Sequence, residues 1–162
     1  MTQGILPFQY GVESSTTGMT ALAGLPPYLE LASASRLIDS IRCHMKVCAE
    51  QTQGWADEQI VMSLVLLNIA GGNCVDDLRV MEKDAGFARV LRRVEFHGLP
   101  RKERRKRERR WHKERKRAVP SPPVVFRYLG AFSDPAEEAK RGIGHAFIPS
   151  PNEHLLALGK VN

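Results

Sequence analysis

Cys43-His44, Cys48, the distant Cys74 and His97 are the side chains of this chain best suited to hold a soft or borderline metal. Thiolate and imidazole are the usual zinc ligands, but the C-H-x3-C spacing fits no common zinc module, and Cys43 falls within an apolar helical pattern. The thiols are therefore expected to be structural and buried. Two adjacent carboxylate pairs, Asp76-Asp77 and Glu137-Glu138, could suggest a hard-cation site. Neighbours in a helix point to different sides, so both pairs read as caps and solvated faces. The segment GIGH at 142–145 has two glycines but no third, and no following Lys-Ser/Thr, so it is not a phosphate loop. No nucleophile, base and orienting group assemble from the sequence. The expectation is a chain with no catalytic residue, no metal ligand and no cofactor of its own.

One segment does carry chemistry. Residues 101–117 read RKERRKRERRWHKERKR, with twelve Lys or Arg against three Glu, a local balance of +9. The remaining residues net −3, from 12 basic and 15 acidic side chains. Glu103/Arg107, Arg104/Glu108 and Arg110/Glu114 stand four apart, so part of the charge is paired along a helix. The bland reading is a solvated charged helix or a spacer, and such a string also serves as a targeting signal. The imbalance favours a polyanion instead: crowded cations repel one another, and a phosphate backbone relieves that repulsion while releasing its counterions. Arg outnumbers Lys, which suits forked recognition of phosphate. The candidate contacts are Arg101, Lys102, Arg104, Arg105, Lys106, Arg107, Arg109, Arg110, Lys113, Arg115, Lys116 and Arg117. Trp111 joins them as a residue able to stack on a base, although a lone helical Trp more often anchors to its own domain.

These residues need a scaffold. The chain has 162 residues, 43% of them hydrophobic, which suffices for one domain with a real core. Leu and Ala supply much of that content, aromatics are 7%, and no hairpin signal or strand alternation is present. The expected fold class is all-α. The N-terminus lacks a basic n-region and an apolar h-region, and the longest apolar run is too short to span a bilayer. Three cysteines without framework spacing suit a reducing compartment. The expected location is the cytoplasm, with no membrane partner.

Residues 1–17 show no period and read as a flexible lead-in. A helical core is expected over 18–97. Pro26-Pro27 opens a first helix, and SRLIDSIRCHMKV continues as a second. Asp57 caps a central helix, DEQIVMSLVLLNIA, apolar on nearly every face and stopped by Gly71-Gly72. Asn73 caps the next element, and Asp84-Ala85-Gly86 divides the stretch up to residue 97 into two short helices bearing Leu78, Met81, Phe87, Val90 and Leu91. The basic helix or arm occupies 98–118. In the last region, 119–162, Ser121-Pro122, Asp134-Pro135 and Ser150-Pro151 each place a capping residue before a helix-opening proline, with Glu137 and Glu153 at capping-box positions.

Several stretches together resemble the N-terminal portion of bacterial insertion-sequence transposases of the DDE type, group 1. They are TGMTALAGLPPYLELA, GWADEQIVMSLVLLNIAGGNCVDDLRVMEKDAGFARVLRR, VPSPPVVFRYLGAF and AFIPSPNEHL, covering most of 17–155. The resemblance implies a helical region that engages element-end DNA, joined in the full-length family to a ribonuclease-H-like domain that cuts and joins strands with Mg²⁺ held by three carboxylates. The family's first catalytic Asp stands beyond Asn162, so none of its catalytic residues carries over, and the chain is expected to be a truncated or split portion. The implied partners are double-stranded DNA and either further copies of the chain or a separately encoded catalytic part. SPPVVFRYLGAF with a neighbouring capped helix is expected to form a helix-turn-helix-like reader with Arg127 beside the groove. The competing reading is a helical interaction protein whose basic arm binds RNA or serves as a targeting signal.

Overall fold

A computed structural model describes residues 2–10, 19–48, 54–105, 117–142, 144 and 146–161. The fold is all-α, with one two-residue antiparallel ladder, β1 (Thr2–Gln3) against β2 (Gln9–Tyr10), in the register Thr2↔Tyr10 and Gln3↔Gln9. Within the expected lead-in, residues 2–10 form a turn, and the rest of 1–17 lies outside the described residues. The backbone N–H groups of Ile5 and Leu6 donate to the Glu30 carboxylate, and Leu6 is buried in the core. Leu6 offers too little local pattern to announce this, because its burial depends on a carboxylate 24 residues away.

Helix α1 (Pro26–Ala34) begins with two prolines, whose fixed φ and missing N–H suit a first turn. It buries Leu29 and Ala32. Arg36, in the left-handed region at φ +57°, turns the chain into α2 (Leu37–His44), which buries Ile41. Helix α3 (Asp57–Ile69) crosses the middle of the molecule, packs on α2, and buries Ile60, Met62, Leu66 and Leu67. Its solvent side carries half-buried Leu64 and exposed Ile69, so the helix is central without being enclosed.

Two glycines stop α3. The Gly71 N–H donates to Asn68 and the Gly72 N–H to Leu67, both through about one closing turn with Gly71 at φ +83°. A side chain at Gly72 would run into Leu67. The following element is capped differently from the expectation at Asn73. Asp77 reaches back and accepts from the Asn73 and Cys74 N–H groups at 2.9 and 3.2 Å, because the chain here makes a single 3₁₀ turn (Val75–Asp77) too tight for a forward cap. Asp76 pairs with Arg79 at 3.0 Å.

Helices α4 (Leu78–Lys83) and α5 (Ala85–Glu95) divide at Asp84, as the sequence indicates. The Asp84 carboxylate caps α5 by accepting from Phe87 N–H at 2.8 Å. It also accepts from the Thr20 hydroxyl at 2.6 Å and the Ala21 N–H at 3.0 Å, so one side chain closes a helix and fastens residues 20–21. Leu78, Met81 and Phe87 are fully buried, while Val90 and Leu91 lie at the edge.

Asp57 does not cap α3. It is the first helical residue, and its buried carboxylate faces the preceding loop, accepting from the Val47 and Cys48 N–H groups at 3.2 Å. Gln59 accepts from the Ala56 N–H in its place. Helix α6 (Pro122–Gly130) buries Val125 and Tyr128 against the 3₁₀ turn, and the single turn α7 (Pro135–Glu138) comes after it. Asp134 caps α7 through Ala136 N–H. Glu137 makes no capping box; it pairs with Lys140 and accepts from the Ser150 N–H. The last helix, α8 (Glu153–Leu158), is capped by Asn152 rather than Ser150, and lies against α2. Asn152 also donates to the Ala131 carbonyl, which selects it as the cap over the serine.

Candidate nucleic-acid interface

The basic segment leaves α5 through Gly98, whose φ of +69° redirects the chain. Helical backbone resumes at residues 101–105, where the Arg104 N–H donates to the Pro100 carbonyl at 2.9 Å. Arg101, Lys102, Glu103, Arg104 and Arg105 are all exposed. Among the described residues, Arg101, Lys102 and Arg105 have no ion-pair partner. Lys106, Arg107, Arg109, Arg110, Trp111, Lys113, Arg115 and Lys116 lie outside the described residues.

The segment returns at Arg117, and there the surroundings change. Glu82 on α4 accepts from the Ala118 and Val119 N–H groups at 3.1 and 3.2 Å, and its other oxygen stands 3.7 Å from Arg117 Nε. The Arg117 side chain is 25% exposed, and Val119 and Pro120 beyond it are buried. Arg117 thus sits at an anchored root. Nothing local to Glu82 in the sequence marks it for this use, because its partners are 36 and 37 positions away.

Both roots border one cleft of 220 Å³ between α2, α3 and the end of α5. Leu99 stands on its wall on the outgoing side and Ala118 on the returning side. Its floor is apolar, including Leu29, Met62 and Leu66, and its rim is tied by Arg42–Glu58 at 2.9 Å and by Gln59 donating to Glu95 at 2.6 Å. The described residues that flank the +9 segment, Leu99 and Ala118, therefore lie on the same cleft of the helical core.

Arg127 is exposed on α6 beside exposed Phe126, without an ion pair among the described residues. The expected helix-turn-helix pairing is not formed, since α7 is one turn of four residues and cannot serve as the companion helix. The cysteines also differ from expectation. Cys43 and Cys74 are exposed, because α2 turns Ile41 rather than Cys43 inward and Cys74 stands at the exposed entry to the 3₁₀ turn; only Cys48 is half-buried. Burial, with the negative charges of Asp57 and Glu58, pushes the Cys48 thiol up to about 11, which keeps it protonated and poorly nucleophilic at neutral pH. Among the described residues no group of three His, Cys, Asp or Glu side chains is placed to hold a metal ion. Among them, too, no helix is long and apolar enough to cross a membrane.

Two further exposed cations stand on the outward face of α5. Arg89 and Arg93, four residues apart and opposite buried Phe87 and Ala88, are exposed. Their spacing is present in ARVLRRV, but two arginines are a weak signal beside the density of 101–117. No family model matches the chain, and no curated protein or solved structure matches it.

Proposed function

We propose that this chain grips duplex DNA through its basic segment, as the end-binding portion of a DDE-type insertion-sequence transposase. The supporting observation is that Arg101, Lys102 and Arg105 stand exposed, with no ion pair among the described residues, at the start of a +9 segment whose two roots line one cleft of the helical core. Cations presented this way can contact a phosphate backbone without disturbing the core that carries them. The family assignment rests on the four sequence stretches between residues 17 and 155 that resemble such transposases. In this reading strand cutting and joining belong to a catalytic part with its own carboxylates and Mg²⁺, and this chain supplies binding and positioning.

Fluorescence anisotropy with a labelled duplex tests the binding. If six to eight phosphates are neutralised, the log–log salt slope is expected to be roughly −5 to −7. Replacing Arg104, Arg105, Arg109 and Arg110 by Gln is expected to flatten it by about 3 to 4. An unchanged slope in that variant would place the contact elsewhere. Stronger competition by single-stranded RNA than by duplex DNA would favour an RNA-binding arm instead. Binding confined to duplexes ending in an element's inverted repeat would support the transposase assignment specifically.

A further inference from the structure

We infer that the outward face of α5, through Arg89 and Arg93, is a second phosphate-contacting surface that continues the grip of the basic segment on duplex DNA. This inference rests on the duplex-binding function proposed for the basic segment. Helix α5 is amphipathic in a single sense: Phe87 and Ala88 are buried, Leu91 and Val94 pack at the core edge, and Arg89 and Arg93 occupy the opposite side. Residues four apart on a helix are surface neighbours, so the two guanidinium groups are presented together.

Two arginines beside each other in water ordinarily collect a carboxylate. Among the described residues neither has one. The acidic side chains nearest in sequence are committed elsewhere. Glu82 holds residues 117–119, Asp84 holds Phe87 and residues 20–21, and Glu95 accepts from Gln59. Ala85, one turn before Arg89, is exposed and uncharged, so nothing on that line opposes an incoming anion. Favourable interaction with the C-terminal end of the α5 dipole explains a cation at position 93, in the last turn, but not one at Arg89. Only residues 96–100 separate α5 from the exposed helical residues 101–105. A duplex engaged by the latter thus has a second row of cations, without an ion pair among the described residues, close along the chain on α5.

The contact is to phosphate and carries no base information, since guanidinium groups on an exposed helix side position a duplex without reading it. The test is the salt dependence of duplex binding by the full chain carrying Arg89→Gln and Arg93→Gln. Two lost phosphate contacts are expected to flatten the log–log slope by about 2, equally for unrelated duplex sequences. The double Lys variant, Arg89→Lys with Arg93→Lys, is expected to retain the wild-type slope, and an unchanged thermal midpoint in both variants shows that the fold is kept. Wild-type slope in the Gln variant, with duplex binding itself intact, overturns this inference alone. Failure of the wild-type chain to bind duplex DNA overturns it together with the function on which it rests. A slope lost in the Lys variant as well, at normal stability, would mean a role other than charge and would also overturn it.

Discussion

Glu82 on α4 and Arg117 at the end of the basic segment face each other at 3.7 Å, and the same carboxylate accepts the Ala118 and Val119 N–H groups. One acidic side chain therefore decides where the densest positive charge in the protein rejoins the core. The attraction across a partly exposed pair is modest by itself. The two charge-assisted backbone bonds are the stronger part, because they fix the chain just before buried Val119.

Glu82→Ala is accordingly expected to cost about 1.5–3 kcal/mol, the usual range for hydrogen bonds to a charged group. Urea denaturation measures the loss, and amide exchange should quicken first at Ala118 and Val119. Arg117→Gln, which keeps both backbone bonds, is expected to cost about 1 kcal/mol or less. Equal losses in the two variants would contradict this division.

The core prediction separates two leucines of α3. Leu66 is 1% exposed, whereas Leu64 is half-buried. Leu66→Ala should cost roughly 2–5 kcal/mol and Leu64→Ala clearly less, since the latter leaves no closed cavity. Thermal or denaturant unfolding of the pair checks the order.

Gly71→Ala tests the helix stop. Its φ of +83° lies where a Cβ meets the following carbonyl, so the substitution is expected to destabilise by roughly 1–2 kcal/mol. Gly24→Ala provides the control, because nothing crowds a Cβ there and its φ is not positive. A similar unfolding midpoint for both would count against the assigned cap.

Asp84 links stability to pH. Burial pushes its carboxyl up, but hydrogen bonds from Phe87, Thr20, Ala21 and Leu22 outweigh that and hold it below the ordinary 3.8. A carboxyl depressed by folding stabilises the protein above its unfolded value, and that contribution is lost as pH falls through the folded value. The wild-type advantage over Asp84→Asn should therefore be full near neutrality and shrink below about pH 4. Denaturation midpoints measured from about pH 6 down to about pH 2 span that window and give the difference directly.

Thiol reactivity depends on the same loop that Asp57 holds. Exposed Cys43 and Cys74 are expected to alkylate at neutral pH well before Cys48, whose thiol is half-buried and raised to about 11. Asp57→Asn removes the larger of the two charges that oppose the thiolate and should speed labelling of Cys48. Peptide mass mapping after timed alkylation reads all three sites.

Much of the helical outline is legible in the residues themselves. Pro26-Pro27, Gly71-Gly72, the Asp84 break and Pro122 act within a turn of where they stand, through fixed φ, a missing N–H, a freely adopted positive φ or a capping oxygen. The charge imbalance of 101–117 is likewise a property of composition and needs no fold. What tertiary structure decided is the use of each polar side chain whose partners lie far along the chain. Glu30 draws in Leu6, Asp57 turns from cap to loop clamp, and Glu82 fastens 117–119. The Tyr128 hydroxyl is buried close enough to Asp57 that desolvation, then that charge, raises its pKa. A carboxylate has the same local appearance whether it caps its own helix or holds a distant stretch of chain. The choice is made by the packing that brings a bare N–H within reach, since leaving that group buried and unbonded costs more than any local preference returns.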